Sequence, residues 1–464
     1  MPFALKNILL NLPEVKKPTE KRLGFNIRLK WTLIILACFF VLSNVPLVKL
    51  EESALSRFEF LAIIFGASFG SLMSLGIGPI VTASIVLQLL VGSKLIKIDT
   101  STPDGKKTFE GLQKIMSLFF VVFESVIYVL MKGLLAQPGW EWFLILQLVI
   151  GGILVMLMDE VVSKYGFGSG ISLFIVGGVA WQLFAKAFGF LGQARTIEPT
   201  GKVLVLINSL FNASNPGSMI NAGVAFAAIA ATVLVFFAVV YTQAIKVEVP
   251  LSFGRIRGFN IRWPLAFFYT SNIPVILTAA LHANLQLVAV LAQKVSKAFT
   301  FLGTFSDQGV AQSGLAYWLS PPSNGIIEPI IKGSLQGSMI LQSIFYIIFM
   351  IAGSIMFAVF WVKTSGMDAT SQANQISGSG LQVSGFRRDP RVIESILSRY
   401  IMPLTIMGGA AVGLLAALAD ITGALVRGTG ILLSVMILYK MYEDIAQQHA
   451  MDSNPLARKF VGTS

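Results

Sequence analysis

The chain has 464 residues, 55% of them apolar and only 12% charged, with 35 Lys+Arg against 23 Asp+Glu and a net charge of +12. Soluble domains carry roughly a quarter charged residues, so this composition excludes both a soluble domain and a disordered chain. One Cys and two His exclude a disulfide framework and a zinc cluster, because Cys38 has no partner and His282 and His449 lie far apart.

A helix needs about 20 mostly apolar residues to cross a hydrocarbon core about 30 Å thick. The apolar blocks predict spans near 31–48, 76–92, 115–135, 142–158, 171–191, 219–245, 264–291, 338–362, 400–420 and 424–442. Lipid cannot satisfy free backbone groups, so these spans are expected to be helices. A transmembrane barrel would show short alternating segments instead. Residues 1–30 are polar and the first apolar block runs on to span length, so no cleavable signal is expected.

One block is too long for a single span. From Phe58 to Gly92 the chain carries almost no charge apart from Glu59, and Gly66, Gly70, Gly76, Gly78 and Pro79 interrupt it. It is either two spans, or a segment that dips in followed by one span. With one span here, the inner segments hold 25 of the 35 Lys+Arg; with two, later loops flip and the inner side holds 15. The positive-inside rule therefore favours ten spans with both termini in the cytosol. The stretch 58–69 then enters from outside without crossing, which backbone tolerates only when buried in protein or lining a cavity.

Past the fifth span the loops differ by side. Two outer loops, about 192–218 and 292–337, are long enough for short surface helices. The inner loop 246–263 has β-rich flanks around Gly254-Arg-Ile-Arg-Gly258, a hairpin pattern. The inner loop 363–399 starts Gly/Ser/Gln-rich and ends with Arg387, Arg388, Arg391 and Arg399. The whole chain reads as one polytopic membrane domain, with a first half over 1–191 and a second over 219–442. The second span of each half carries a breaker, Gly76-Ile-Gly-Pro79 and Asn272-Ile-Pro274. Five spans per half gives opposite orientations, which fits an inverted repeat. Ordinary Gly/Pro content in membrane helices is the other reading.

The sequence offers no catalytic constellation. Asp104-Gly-Lys-Lys-Thr108 lacks the upstream Gly of a phosphate loop, since that position is Thr100. No nucleophile stands with a base, and no cofactor or metal site is expected. Glu124 is an intramembrane carboxylate, either functional or a protonated partner in one interhelical hydrogen bond. Thr82, Gln88, His282, Asn284 and Gln286 read equally as polar glue between helices. The basic loops follow from the positive-inside bias alone, although Arg255 and Arg257 with the second Arg cluster would also grip phosphates.

Four motifs resemble the SecY family, the channel-forming subunits of the Sec protein translocon, and especially its archaeal members. They are Leu75-Gly-Ile-Gly-Pro-Ile-Val-Thr82, Asp159-Glu-Val-Val-Ser-Lys-Tyr-Gly-Phe-Gly-Ser-Gly170, Ser271-Asn-Ile-Pro-Val-Ile276 and Gly428-Thr-Gly-Ile-Leu-Leu433. The resemblance covers nearly the whole chain. It implies an all-α membrane protein of ten transmembrane helices, in two inverted five-helix halves around a central hourglass pore. The pore ring at its waist would be Ile77, Val81, Ile171, Ile175, Ile276 and Leu433. The i,i+4 spacing of Ile77/Val81 and of Ile171/Ile175 puts each pair on one helix face. Phe58, Phe60, Leu61, Ile63, Ile64 and Phe65 would belong to a plug. Thr82, Glu124 and Asn284 would form a polar cluster at a lateral gate.

The resemblance also implies partners: a SecE/gamma small subunit, a beta-type second small subunit, signal peptides and nascent chains, the lipid bilayer, and a ribosome. Arg255, Arg257, Arg387 and Arg388 would meet the phosphates of ribosomal RNA or a motor protein. The place implied is the cell membrane. A secondary transporter on the same repeat, with an ion or substrate site at mid-depth, is the rival reading. An intramembrane protease would be a third.

Overall fold

Apolar runs that cannot give their backbone groups to water close them internally as helices. The computed structural model describes residues 14–19, 23–50, 70–92, 95, 96, 98, 103–130, 134–189, 201–211, 216–253, 260–270, 272–295, 301–306, 311–323, 325–378, 381–383 and 390–453. In chain order these hold α1 (Phe25–Ser43), α2 (Gly78–Gly92), α3 (Pro103–Leu130), α4 (Glu141–Tyr165), α5 (Gly170–Phe188), α6 (Lys202–Phe211) and α7 (Pro216–Gln243). Strands β1 (Lys246–Phe253) and β2 (Asn260–Ala266) precede α8 (Ile273–Val295). Then come β3 (Thr304–Phe305), β4 (Ala311–Ser313), α9 (Gly314–Trp318), α10 (Ile327–Ile331) and α11 (Gly337–Thr364). The chain continues with α12 (Ala369–Gly378), β5 (Leu381–Val383), α13 (Pro390–Ile421) and α14 (Gly428–Ser453).

Helices α1 to α5, α7, α8, α11, α13 and α14 answer to the ten predicted spans in order. Eight described helices are long and apolar enough to cross a membrane. The other two are α2, with 15 residues, and α14, which turns polar from Lys440. At 1.5 Å per residue α2 is only about 22 Å long. Residues 70–77 make up the depth as a run of turns tied to the end of α1, with Leu47 N–H donating to Gly70 O (2.8 Å) and Leu72 N–H to Val45 O (2.9 Å). Gly76 sits there at φ +52°, in the left-handed region that glycine adopts at no steric cost.

Several boundaries differ from the hydropathy reading. The seventh span begins at Ile273 rather than 264, because 260–266 is strand β2. Pro79 and Pro274 are not breaks within a span. Each is the second residue of its helix, where the missing N–H costs nothing. Helix α3 starts twelve residues before the predicted span, since a helix can run on into water. The stretch after Thr364, which reads as a polar loop, contains α12. Its Ala373 and Ile376 pack on Ile393, Leu397 and Ile401 of α13, which itself begins ten residues before the predicted span.

The predicted hairpin is present. β1 and β2 pair antiparallel from Lys246↔Ala266 to Ser252↔Asn260. The second loop joins it, β5 pairing with β1 at Leu251↔Val383 and Phe253↔Leu381. The two loops expected to be outer carry α6, α9 and α10, and β3 pairs with β4.

Helices α11 and α13 pack through small residues. A Cβ on Gly413 would stand 2.6 Å from Met350 O, and one on Gly409 would stand 3.0 Å from Ala358 Cβ. Small residues four apart let two membrane helices approach to backbone contact. Gly413→Leu should therefore force the pair apart, at a cost of about 1–3 kcal/mol. The check is the melting temperature of the purified protein, which should fall by several degrees with Leu.

Candidate functional site: a constriction and a seam

Two prolines and two glycines set where four helices begin, and those starts aim the residues at the centre. Val81 and Ile276 each stand two residues past the proline of α2 and α8. Ile175 and Leu433 each stand five residues past the first glycine of α5 and α14. All four, with Ile77, line one cavity of about 20 Å³. That is room for about one water. The lining is completed by Val179, Ala279, Ala280, Thr429 and Gly430, residues that the sequence reading did not select. Val179 was within reach of it, one helical turn beyond Ile175.

On one side of the constriction a cavity of about 640 Å³ opens. Val81 and Ile276 line both spaces, so the two are adjoining. The wide cavity is also lined by Lys106, Gly168, Lys440 and Asp444, all of which fall in segments predicted to be inner. Ile171 faces this wide cavity and not the constriction. The molecule thus passes from a wide funnel to an aliphatic waist with room for about one water. Ile77, Val81, Ile175 and Leu433 are buried there, while Ile171 and Ile276 are half-buried.

The polar cluster also comes together. Asn284 Nδ2 of α8 donates to Thr82 Oγ1 of α2 at 3.1 Å. Thr82 Oγ1 in turn donates to Gly78 O at 2.9 Å, its own helix turn. Glu124 of α3 meets the same threonine hydroxyl. This hydrogen bond spans the line where α2, backed by α3, meets α8 and α11. Further along that line Gly92 of α2 sits against the Phe360 ring of α11, where an added Cβ would stand 2.7 Å from Cδ1. His282 and Gln286 point away from the seam: Gln286 Nε2 donates to Ser320 Oγ, just past α9, at 2.6 Å. The residues expected to form a plug, Phe58, Phe60, Leu61, Ile63, Ile64 and Phe65, lie outside the described residues, as do Arg255, Arg257, Arg387 and Arg388.

Residues 71–442 match the SecY family model. The chain belongs to the SecY family. It is 43% identical over 457 residues to the protein translocase subunit SecY of Methanothermobacter thermautotrophicus, covering 97% of each. It is 41% identical over 465 residues to that of Methanococcus vannielii, covering 99% of each. The fold is similar to a solved protein-conducting channel, with TM-score 0.82 and 38% identity over 97% of this chain and 98% of that one. It is also similar to Sec61 in the canine ribosome–channel complex from the endoplasmic reticulum, at TM-score 0.79, 38% identity and the same coverage. The SecY chain is thus a multi-pass membrane protein with the fold of a protein-conducting channel.

Asn284→Ala removes the bond across the seam. A hydrogen bond between membrane helices contributes about 0.6 kcal/mol on average, so the population with the seam parted should rise about threefold. Spin labels on residues 92 and 360 report it as a longer component in their distance distribution. An unchanged distribution would show that other contacts hold the seam.

Proposed function

We propose that this SecY chain is the central pore of a Sec translocon, passing unfolded polypeptides outward through the aliphatic waist and releasing apolar segments sideways through the α2/α3–α8/α11 seam. The observation that carries this reading is the convergence of five aliphatic side chains from both halves on a space of about 20 Å³, directly below a funnel of about 640 Å³. Aliphatic side chains offer no hydrogen bonds to a hydrated ion or to a passing backbone. They close by contact and dewetting, and yield to any sequence pushed between them. Ile171 acts one turn earlier, as the lip of the waist.

The seam supplies the second exit. Leu, Ile, Phe and Val gain about 0.3–0.6 kcal/mol each at the bilayer centre, while Asp, Lys and Arg cost about 2.5–3.5 kcal/mol. A run of about 20 apolar residues therefore leaves sideways and a polar chain continues through. Thr82, Glu124 and Asn284 are the latch on that exit. No bond is made or broken in the sorting, so the chain works as a channel and not as an enzyme.

In this reading the stretch 58–69 stoppers the pore from outside. The funnel opens to the cytosol, both termini are cytosolic, and the membrane is the cell membrane. A SecE/gamma small subunit clamps the halves and a beta-type subunit accompanies it. A ribosome docks on the sheet-bearing loops through Arg255, Arg257, Arg387 and Arg388. The likeness to the ribosome-bound Sec61 chain supports this, as does the pairing of β5 with β1, which joins the two loops into one platform.

Photo-crosslinkers placed at Ile77 or Ile276 should capture a stalled translocating chain. Capture confined to the outer loops would count against the waist. Charge reversal at Arg255 or Arg387 should weaken ribosome co-sedimentation about tenfold per residue, the factor expected for a charge-assisted hydrogen bond. Equal binding across a salt series would leave these residues as topology signals alone.

A further inference from the structure

Two aspartates that no role above uses make the same bond at opposite ends of the pore. Asp159 lies near the end of α4 and Asp420 near the end of α13, the fourth and ninth crossings. Asp159 Oδ1 accepts the N–H of Ile171 at 3.0 Å, and the carboxylate also takes the N–H of Gly170. Asp420 Oδ1 accepts the N–H of Thr429 at 3.0 Å and its hydroxyl at 3.2 Å. Ile171 and Thr429 are each the second residue of their helix, directly after Gly170 and Gly428. Each glycine is required by the close approach. A Cβ on Gly170 would stand 2.5 Å from Asp159 Cα, and one on Gly428 would stand 2.0 Å from the carbonyl carbon of Ala419. Asp420 Oδ2 further accepts from Tyr346 of α11 at 2.5 Å, and the Arg427 charge lies nearby.

The helices that begin at these bonds are the two that face each other behind the waist. α5 and α14 pack together, away from the seam. Val179 and Gly430, both of which line the constriction, touch where the two helices meet, and a Cβ on Gly430 would stand 3.2 Å from Val179 Cγ2. Five crossings separate α5 from α14, so they run antiparallel and their first turns lie at opposite membrane faces. A slip of one residue at either start would move the following side chains about 1.5 Å and turn them about 100°. That would carry Ile175 or Leu433 off the constriction.

We propose that Asp159 and Asp420 are a matched pair of positioning residues, which fix the register of α5 and α14 from opposite faces and so hold the rear wall of the pore still while the seam moves. Neither touches the translocating chain. The inference rests on the waist assigned above.

The test uses the full chain in its complex, with Cys38 replaced, in planar bilayers. Asp159→Ala and Asp420→Ala should each raise resting ion leak about fivefold or more, the factor that loss of a buried acceptor worth about 1 kcal/mol gives. Asp→Asn, which keeps one acceptor oxygen, should return the leak most of the way. The cysteine pair Val179→Cys/Gly430→Cys joins α5 to α14 when oxidised. The aspartate variants on this background should leak when reduced and seal again when oxidised, relative to the pair alone. A variant that accumulates poorly is prepared with the pair oxidised, and the leak is read as the bond is reduced. A leak unchanged in both Ala variants would overturn the proposal, as would one that oxidation does not suppress. Capture of a chain at Ile77 or Ile276 tests the waist by itself. Unchanged leak with capture intact would therefore sink this inference and leave the waist standing.

Discussion

Contact between aliphatic side chains without directional bonds is the interaction on which this molecule turns. Ile77, Val81, Ile175, Ile276 and Leu433 meet around a space for about one water. Such contact is strong against water and ions and indifferent to what replaces it. It has one weakness, which is that it specifies position poorly. Apolar packing alone does not choose between one helix rotation and the next. The register of each helix has to come from elsewhere, and here it comes from helix starts. Proline in the first turn fixes φ and gives up a donor that the helix would leave unpaired in any case. Glycine lets the preceding helix end close in to backbone distance. The aliphatic residues are then aimed by counting from these points.

The seam and the rear wall are built from different interactions. At the seam, α2 meets α8 through a hydroxyl shared by Asn284 and Glu124, and α11 through a ring lying on Gly92. Each of these contacts can be broken at small cost and remade. At the rear, carboxylates hold backbone N–H groups, and losing such an acceptor strands a buried donor. A channel that opens sideways needs this inequality. The same stress then parts the front before it disturbs the rear, and the waist returns to one closed geometry afterwards.

Hydropathy and loop charge made much of this architecture legible. All ten predicted spans correspond to helices, the number that the Lys+Arg count favoured. The family motifs named six waist residues, of which five line the constriction. What escaped was whatever tertiary packing decides. Ala373 and Ile376 are too few to mark α12, which exists because α13 extends far enough to cover them. Leu381–Val383 is a strand only because β1 offers it an edge. Pro274 marked a break in an apolar run, and only the pairing of Lys246 with Ala266 shows that the run before it belongs to a sheet. The aspartates were invisible for another reason. Asp159 stood inside a recognised motif and Asp420 outside one, and nothing in their spacing reveals that both bond the second residue of a helix.

The equal offsets in the two halves bear on how such a pore can form at all. Val81 matches Ile276 and Ile175 matches Leu433, each counted from the start of its own helix. Under an inverted repeat, equal positions lie at mirrored depths. They coincide only near the centre of the membrane, so a ring drawn from matched positions falls at mid-depth. Ile171 and Thr429 show the consequence one turn away. They too are matched, but Ile171 looks into the funnel while Thr429 closes the far side of the waist, its hydroxyl turned to Asp420. The repeat therefore confines symmetry to a thin layer and releases it on either side. That allows one face to open as a funnel for incoming chains while the other stays shut.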